Sequence, residues 1–393
     1  MGCVLSVASW ERIRSGWVTD IYFLRSLRIL REKGLDRNMV RIEAHVYGLP
    51  QGWGWAVYAG LEDALKLFEG RNVNIYSAPE GTIFRTMEPL LVVEGPVGEI
   101  LDLETALLGI IRHASSVATK AARIKKLAGD RMVVFFGLRA AHPAIGPMLD
   151  RSAFIGGCDA VSGAYSEELL GVKPVGTMPH ALIVVFGDQI KAWKAFDEVM
   201  EPDVPRIMLV DTFYDERVES LMAAQLLGDR LYGVRLDTPS SRRGNMRMIV
   251  SEVRWVLDIN GYKRVKIFVS GGIDEKEITM LRDLVDGFGV GTSIAFPPSI
   301  DFSMDIVEVM RDGKWVPISK RGKLPGFKQL YRCPESMEDH ILPWGSESPV
   351  CRDGSRARPM LELYMASGKI VKDLPEPRRI RDYVLDQLRR VEI

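Results

Sequence analysis

Two glycine-rich segments, Ser270-Gly271-Gly272-Ile273 and Gly289-Val290-Gly291-Thr292-Ser293, have the chemistry to hold an anion. Glycine lets the backbone approach a charged oxygen, and successive N–H groups ahead of a helix then donate to it. One such segment alone reads equally well as a tight turn; two, each closing an apolar run, favour a phosphate grip. Neither fits a Walker loop or a dinucleotide fingerprint. Arg235-Leu236-Asp237 places a guanidinium and a carboxylate on one face of an extended chain, because side chains alternate there. The carboxylate suits ribose hydroxyls or Mg²⁺, and the guanidinium suits a carboxylate or phosphate. The plain alternative is a structural ion pair.

Phe136-Gly137-Leu138-Arg139 sets an aromatic face beside a cation, which suits a flat heteroaromatic acid. Its alternative is a core phenylalanine with a surface arginine. Gly176-Thr177-Met178-Pro179-His180 ends on one of five histidines, a nucleophile toward phosphate or a base. Its alternative is structural, with Thr177 capping a helix and Pro179 in the first turn. Cys333, His340 and Cys351 lie in an irregular tail. A zinc site wants four ligands in short paired spacings. Neither cysteine has a partner nearby, so no zinc is expected. Cys158 reads as a small packed residue.

Most of these residues follow short apolar runs. Met132 to Phe136 stops at Gly137, Arg206 to Val210 at Asp211-Thr212, and Leu231 to Leu236 at Asp237-Thr238. Val265 to Val269 stops at Ser270-Gly271-Gly272, and Phe288 to Val290 at Gly291-Thr292. Asp211 and Asp237 are 26 residues apart, and Asp237 and Ser270 are 33 apart; each gap fits one strand and one helix. That rhythm marks βα units on a parallel sheet, with chemistry at the C-terminal strand ends. Consecutive units favour a barrel over an open sheet. Ahead of them, apolar residues at helical spacing from Leu101 to Leu127 predict a long helix ended by Gly129. Arg41 to Tyr47 and Leu90 to Pro96 read as strands, and Gly60 to Phe68 as a helix. After Pro297 the pattern is irregular until Ile380 to Val391.

The chain of 393 residues has 47% apolar and 26% charged residues, a globular composition with room for two or three domains. Lys plus Arg and Asp plus Glu number 52 each, so net charge gives no reason to expect nucleic acid or an anionic membrane as partner. Four scattered cysteines, no signal-like start and no long uncharged apolar stretch predict a reducing cytoplasm. Met1-Gly2-Cys3 begins like a lipidation site, a match read as chance.

In order, Thr19-Asp20-Ile21-Tyr22, Glu88-Pro89-Leu90 with Val93-Glu94-Gly95-Pro96, Phe136-Gly137-x-Arg139 and Gly157-x-Asp159 with Ser162 are followed by Gly176-Thr177-x-x-His180. Then come Val210-Asp211-Thr212, Gly233-Val234-Arg235-x-Asp237, Ser270-Gly271-Gly272, Gly289-x-Gly291-Thr292 and the stretch from Lys323 to Arg332. This ordered set, from about residue 17 to 332, resembles the nicotinate phosphoribosyltransferases, in the family that also holds the nicotinamide and quinolinate enzymes. The resemblance implies an α/β chain: an N-terminal α/β sandwich (residues 1–100) completed by C-terminal segments (298–393), a linking helix (101–128), and a central irregular α/β barrel (129–297). It implies a homodimer or higher homo-oligomer with shared active sites. It also implies the reaction of nicotinate with phosphoribosyl pyrophosphate, accompanied by Mg²⁺, to give nicotinate mononucleotide and pyrophosphate in NAD salvage.

By the same resemblance, Phe136 stacks on the pyridine ring and Tyr22 of a second copy covers it. Arg139 and Arg235 meet the carboxylate and diphosphate, with Asp237 on the ribose hydroxyls. Thr177 and Asp159 join the substrate set. Ser270, Gly271, Gly272, Gly291 and Thr292 hold the 5′-phosphate, and His180 is the histidine that ATP-coupled members phosphorylate. Three departures stand out. Ala140 replaces a second arginine, Ala181 replaces a polar residue after His180, and Asp237-Thr238-Pro239 replaces Asp-Ser-Gly-Asp. ATP coupling therefore stays open. So do two alternatives: quinolinate or nicotinamide as the base, and a non-catalytic nucleotide-binding protein on the same fold.

Overall fold

Hydrophobic alternation in the N-terminal third builds a sheet, and the chain returns to finish it after a long excursion. The computed structural model describes residues 6–238, 241–242 and 244–393; Met1-Gly2-Cys3 and Pro239 lie outside them. The first strands are β1 (Met39–Val46), β2 (Ala56–Val57), β3 (Asn74–Ser77), β4 (Ile83–Phe84) and β5 (Leu91–Pro96). The helix Glu104–Ala128 follows, stopped by Gly129 in a left-handed conformation (φ 61°). Then come β6 (Met132–Phe135), β7 (Ala160–Val161), β8 (Ile207–Leu209), β9 (Gly233–Leu236), β10 (Lys266–Val269) and β11 (Gly287–Val290). The tail read as irregular supplies β12 (Phe302–Arg311), β13 (Lys314–Pro317), β14 (Lys328–Arg332), β15 (Asp339–Pro343), β16 (Arg358–Pro359), β17 (Glu362–Ala366) and β18 (Lys369–Ile370), then the helix Pro377–Leu388. Contacts divide the chain into two units, residues 1–119 with 298–393, and residues 120–297.

In the first unit a seven-stranded sheet runs β13-β12-β1-β5-β3-β17-β18, every pair antiparallel. Its core joins Ile42, Ala44, Val92 and Val93 to Leu65 and Phe68 of the helix Leu61–Phe68, and to Leu107 and Ile111 of the long helix. Glu43 on β1 lies directly opposite Asp305 on β12, and both are buried. Like charges in register repel, so the pair is compensated locally. Lys328 Nζ reaches Glu43 Oε2 at 2.9 Å, while Lys323 and Lys320 reach Asp305 at 2.9 and 2.7 Å. Burial, with Asp305 nearby, pushes the Glu104 carboxyl up to about 7.

The second unit carries a six-stranded parallel sheet in the order β7-β6-β11-β10-β9-β8. The last strand pairs with the first, as in a barrel, and the curled sheet stays open between β7 and β8. The segment after β7 fills that seam: Val175 N–H donates to Val161 O at 2.8 Å, and His180 then reaches the end of β8.

A three-stranded sheet, β15-β14-β16, sits in the first unit. Here the zinc candidates are corrected. Cys333 and Cys351 form a disulfide, so neither thiolate is available as a ligand. His340 Nε2 lies 4.0 Å from Cys333 Sγ. The bond closes an 18-residue separation. Loop-closure entropy assigns such a crosslink about 3 kcal/mol. Cys351→Ser, or reduction under denaturing titration, is expected to lower stability by that order, and added zinc is expected not to restore it. A reduced protein as stable as the oxidised one would contradict this.

Candidate active site at the barrel strand ends

The pairing of β6 with β11 brings Phe136 and the second glycine segment together. Phe136 N–H donates to Val290 O at 2.7 Å. A Cβ on Gly289 would stand 2.5 Å from the Phe136 ring, so the ring lies on bare backbone and is held flat. The Arg235 guanidinium carbon is 5.9 Å from that ring's centre. Arg235 Nη2 donates to Met178 O at 3.2 Å, whereas its Nε is buried with no partner among the described residues. Burial pulls the Arg235 pKa down, against the pull of Asp237 and Asp211, and nearby Arg139 adds to the fall. A guanidinium left so poorly solvated gains from an incoming anion.

Asp237 continues the same edge. Ser270 Oγ donates to Asp237 Oδ1 at 2.7 Å, and Asp237 N–H donates to Asp211 Oδ2 at 2.7 Å. Gly271 and Gly272 are both left-handed (φ 80° and 64°). A Cβ at Gly271 would meet Asp237 Oδ1 at 3.0 Å, so this turn needs glycine twice over, for conformation and for room. Ser293 Oγ donates to Ile273 O at 2.9 Å and ties the two glycine loops together. Gly291 precedes the short helix Thr292–Ala295. Ser270, Gly271, Gly272, Gly291 and Thr292 therefore border one mouth with Phe136, Arg235 and Asp237.

His180 starts the helix His180–Phe186, and Pro179, not Thr177, is its N-cap. The capping role considered for Thr177 is thus corrected; its Oγ1 is buried and unpartnered among the described residues. His180 Nε2 lies 3.0 Å from Asp211 Oδ1. Burial pushes the Asp211 carboxyl up, and His180 together with the Asp237 amide opposes this. Sequence reasoning placed Asp211 at a strand end without giving it this partner. It also missed Glu219, fully buried, which accepts from the N–H groups of Thr212 (3.1 Å), Phe213 (2.8 Å) and Tyr214 (2.9 Å). That carboxylate shapes the loop after β8. The only available signal was its place in the first turn of the helix Glu216–Leu227.

Asp159 does not join the mouth, and its placement among substrate residues is corrected. It precedes β7, at the N-terminal end of the sheet, where its carboxylate takes Lys125 Nζ at 2.7 Å and Val133 N–H at 2.8 Å. Arg139 is exposed in the turn Leu138–Ala140. Tyr22 stands in the first unit on the helix Ile21–Glu32, 56% exposed. Asp20, just before it, accepts from Thr105 Oγ1 at 2.8 Å. No cluster of three or more His, Cys, Asp or Glu suited to a metal occurs among the described residues.

Models of the quinolinate phosphoribosyl transferase N-terminal and C-terminal domains match residues 20–115 and 117–305. Nicotinate phosphoribosyltransferase pncB1 of Mycobacterium tuberculosis is 32% identical over 347 residues, covering 78% of this chain and 75% of that one. The chain belongs to the nicotinate phosphoribosyltransferase family. The Bacillus subtilis member is 28% identical over 366 residues, 82% of this chain and 74% of its own. A solved structure of nicotinate-nucleotide pyrophosphorylase from Pyrococcus furiosus is 51% identical with a TM-score of 0.96, and each chain is covered completely. Human nicotinic acid phosphoribosyltransferase shares the fold at a TM-score of 0.77 and 22% identity, over 95% of this chain and 94% of its own.

The packing of Phe136 on Gly289 is directly testable. Gly289→Ala is expected to cost about 1–3 kcal/mol by overpacking. Gly176→Ala, where an added Cβ meets nothing within 4 Å, is expected to stay within about 0.5 kcal/mol. Urea midpoints measure both, and equal costs would contradict the geometry.

Proposed function

We propose that this chain transfers the phosphoribosyl group of phosphoribosyl pyrophosphate to nicotinate, releasing nicotinate mononucleotide and pyrophosphate in NAD salvage. The observation that carries this reading is the convergence of Phe136, Arg235, Asp237 and both glycine loops on one end of the parallel sheet. The pyridine nitrogen lone pair forms the bond to the anomeric carbon as the bond to the diphosphate oxygen breaks, and the electron pair leaves with pyrophosphate. No proton moves, so catalysis reduces to positioning and electrostatics.

In this reading Phe136 holds the ring and the glycine loops take the 5′-phosphate. Asp237, oriented by Ser270, accepts from the ribose hydroxyls. Arg235 meets the leaving diphosphate, and Arg139 the nicotinate carboxylate. Mg²⁺ suits the hard oxygen donors of Asp211, Asp237 and the diphosphate, and supplies charge neutralisation when bound. Tyr22 of a second copy covers the ring in a homo-oligomer. Asp211 holds His180 through Nε2, which leaves Nδ1 as the nitrogen that ATP-coupled turnover would phosphorylate.

Among the described residues no helix is long and apolar enough to cross a membrane. We keep the cytoplasm as the compartment. The disulfide between Cys333 and Cys351 runs against the cysteine argument for a reducing compartment, where such bonds are rare.

Pyrophosphate release with nicotinate, quinolinate and nicotinamide, each with and without ATP, tests the reading. Nicotinate is expected to turn over fastest; a faster rival base would overturn the assignment. Asp237→Asn is expected to lower kcat/KM at least about 100-fold with the circular dichroism spectrum unchanged. A loss under threefold would remove Asp237 from the ribose. His180→Ala is expected to abolish any stimulation by ATP while a basal rate survives.

A further inference from the structure

The first turn of the helix Glu216–Leu227 carries two acids that bond to the loops of two neighbouring strand ends. Glu219 is 0% exposed. Its Oε1 accepts from the N–H groups of Phe213 and Tyr214, at 2.8 and 2.9 Å, and its Oε2 from that of Thr212, at 3.1 Å. Glu216 Oε1 accepts from Thr238 Oγ1 at 2.5 Å. Thr212 directly follows Asp211, and Thr238 directly follows Asp237. Asp211 in turn accepts the Asp237 N–H on Oδ2 and meets His180 Nε2 with Oδ1. One turn of helix thus holds the residue after each acid of the candidate site.

A buried carboxylate is costly unless its lone pairs are met. Here the donors are three successive amides of a loop whose side chains, Phe213 and Tyr214, are exposed. Such a loop has water as an alternative partner and many conformations open to it. A carboxylate that takes three consecutive amides selects one of them, through charge-assisted bonds roughly twice as strong as neutral ones. Glu219 is not needed to cap its own helix. Asp215 does that, accepting from Val218 N–H at 2.9 Å. We propose that Glu219 is a positioning residue for the transfer reaction: it fixes the loop from Thr212 to Tyr214, and through it the direction of Asp211 toward His180 and the Asp237 amide. This rests on the phosphoribosyl-transfer reading, in which Asp211 and Asp237 serve the sugar diphosphate.

Glu219→Gln in the full-length enzyme tests it. Glutamine has one carbonyl oxygen. If that oxygen keeps Phe213 and Tyr214, the amide N–H₂ faces the Thr212 N–H, donor against donor. The KM for phosphoribosyl pyrophosphate is expected to rise about tenfold while the KM for nicotinate stays within about twofold. A variant that is merely less folded lowers kcat and moves neither KM. The His180 ring reports the same displacement without turnover. With ¹⁵N-labelled histidine, Nε2 of the wild type is expected to carry the proton shared with Asp211, and the variant to lose that single tautomer. Amide hydrogen exchange of the wild type needs no variant at all: the amides of Thr212, Phe213 and Tyr214 are expected to exchange at least about 100-fold more slowly than free peptide. An unchanged KM with an unchanged His180 signal in the variant, or loop amides that exchange like free peptide in the wild type, overturns the proposal and leaves the transfer reaction standing. A wild type that forms no nicotinate mononucleotide overturns the reading beneath it and this role of Glu219 together.

Discussion

The hydrogen-bonded pairing of β6 with β11 is the constraint on which the site depends. It joins the first barrel strand to the last and sets Phe136 against Gly289. Strand order then fixes the rest. β10 and β9 follow in register, so Ser270 stands beside Asp237 and the left-handed turn at Gly271 presses on the same carboxylate. Parallel strands point every C-terminal end the same way. Polar residues placed after each apolar run therefore gather without any long-range contact of their own.

The electrostatics follow from that crowding. Burial pulls Arg235 down against the charges of Asp237 and Asp211, and pushes Asp211 up against His180 and the Asp237 amide. The balance is incomplete: Arg235 Nε, Thr177 Oγ1 and Thr212 Oγ1 stay buried and unpartnered among the described residues. Such atoms carry an unmet desolvation cost, which a ligand bringing hydrogen-bond partners would relieve. The open seam contributes through the same physics. Because β7 and β8 are not bonded to each other, the segment between them enters, supplies Met178 O to Arg235, and brings His180 to Asp211.

The barrel was legible because its strands are buried runs closed by Asp, Ser or Gly, a pattern set by local chemistry. β7 was not, since two residues, Ala160 and Val161, carry no periodicity. Asp159 was misplaced for a related reason: without β7's bounds, nothing said that Asp159 enters the strand from its N-terminal end. The tail looked irregular because β13, β15 and β16 are short and largely solvent-facing, so hydrophobic alternation is weak there. The bond between Cys333 and Cys351 had no sequence signal, because its geometry is set by how β14 and β16 pair. The two glycine loops were readable as pairs, but the reason for Gly289, the ring of Phe136 lying across it from 153 residues away in sequence, emerges only in three dimensions.

A crystal structure of the protein with nicotinate mononucleotide measures the central claim most directly. The account predicts the phosphate between the turns at Gly271-Gly272 and Gly291-Thr292, the ribose hydroxyls on Asp237, and the pyridine ring on the exposed face of Phe136. A nucleotide bound elsewhere, or one whose phosphate ignores both glycine turns, would contradict it.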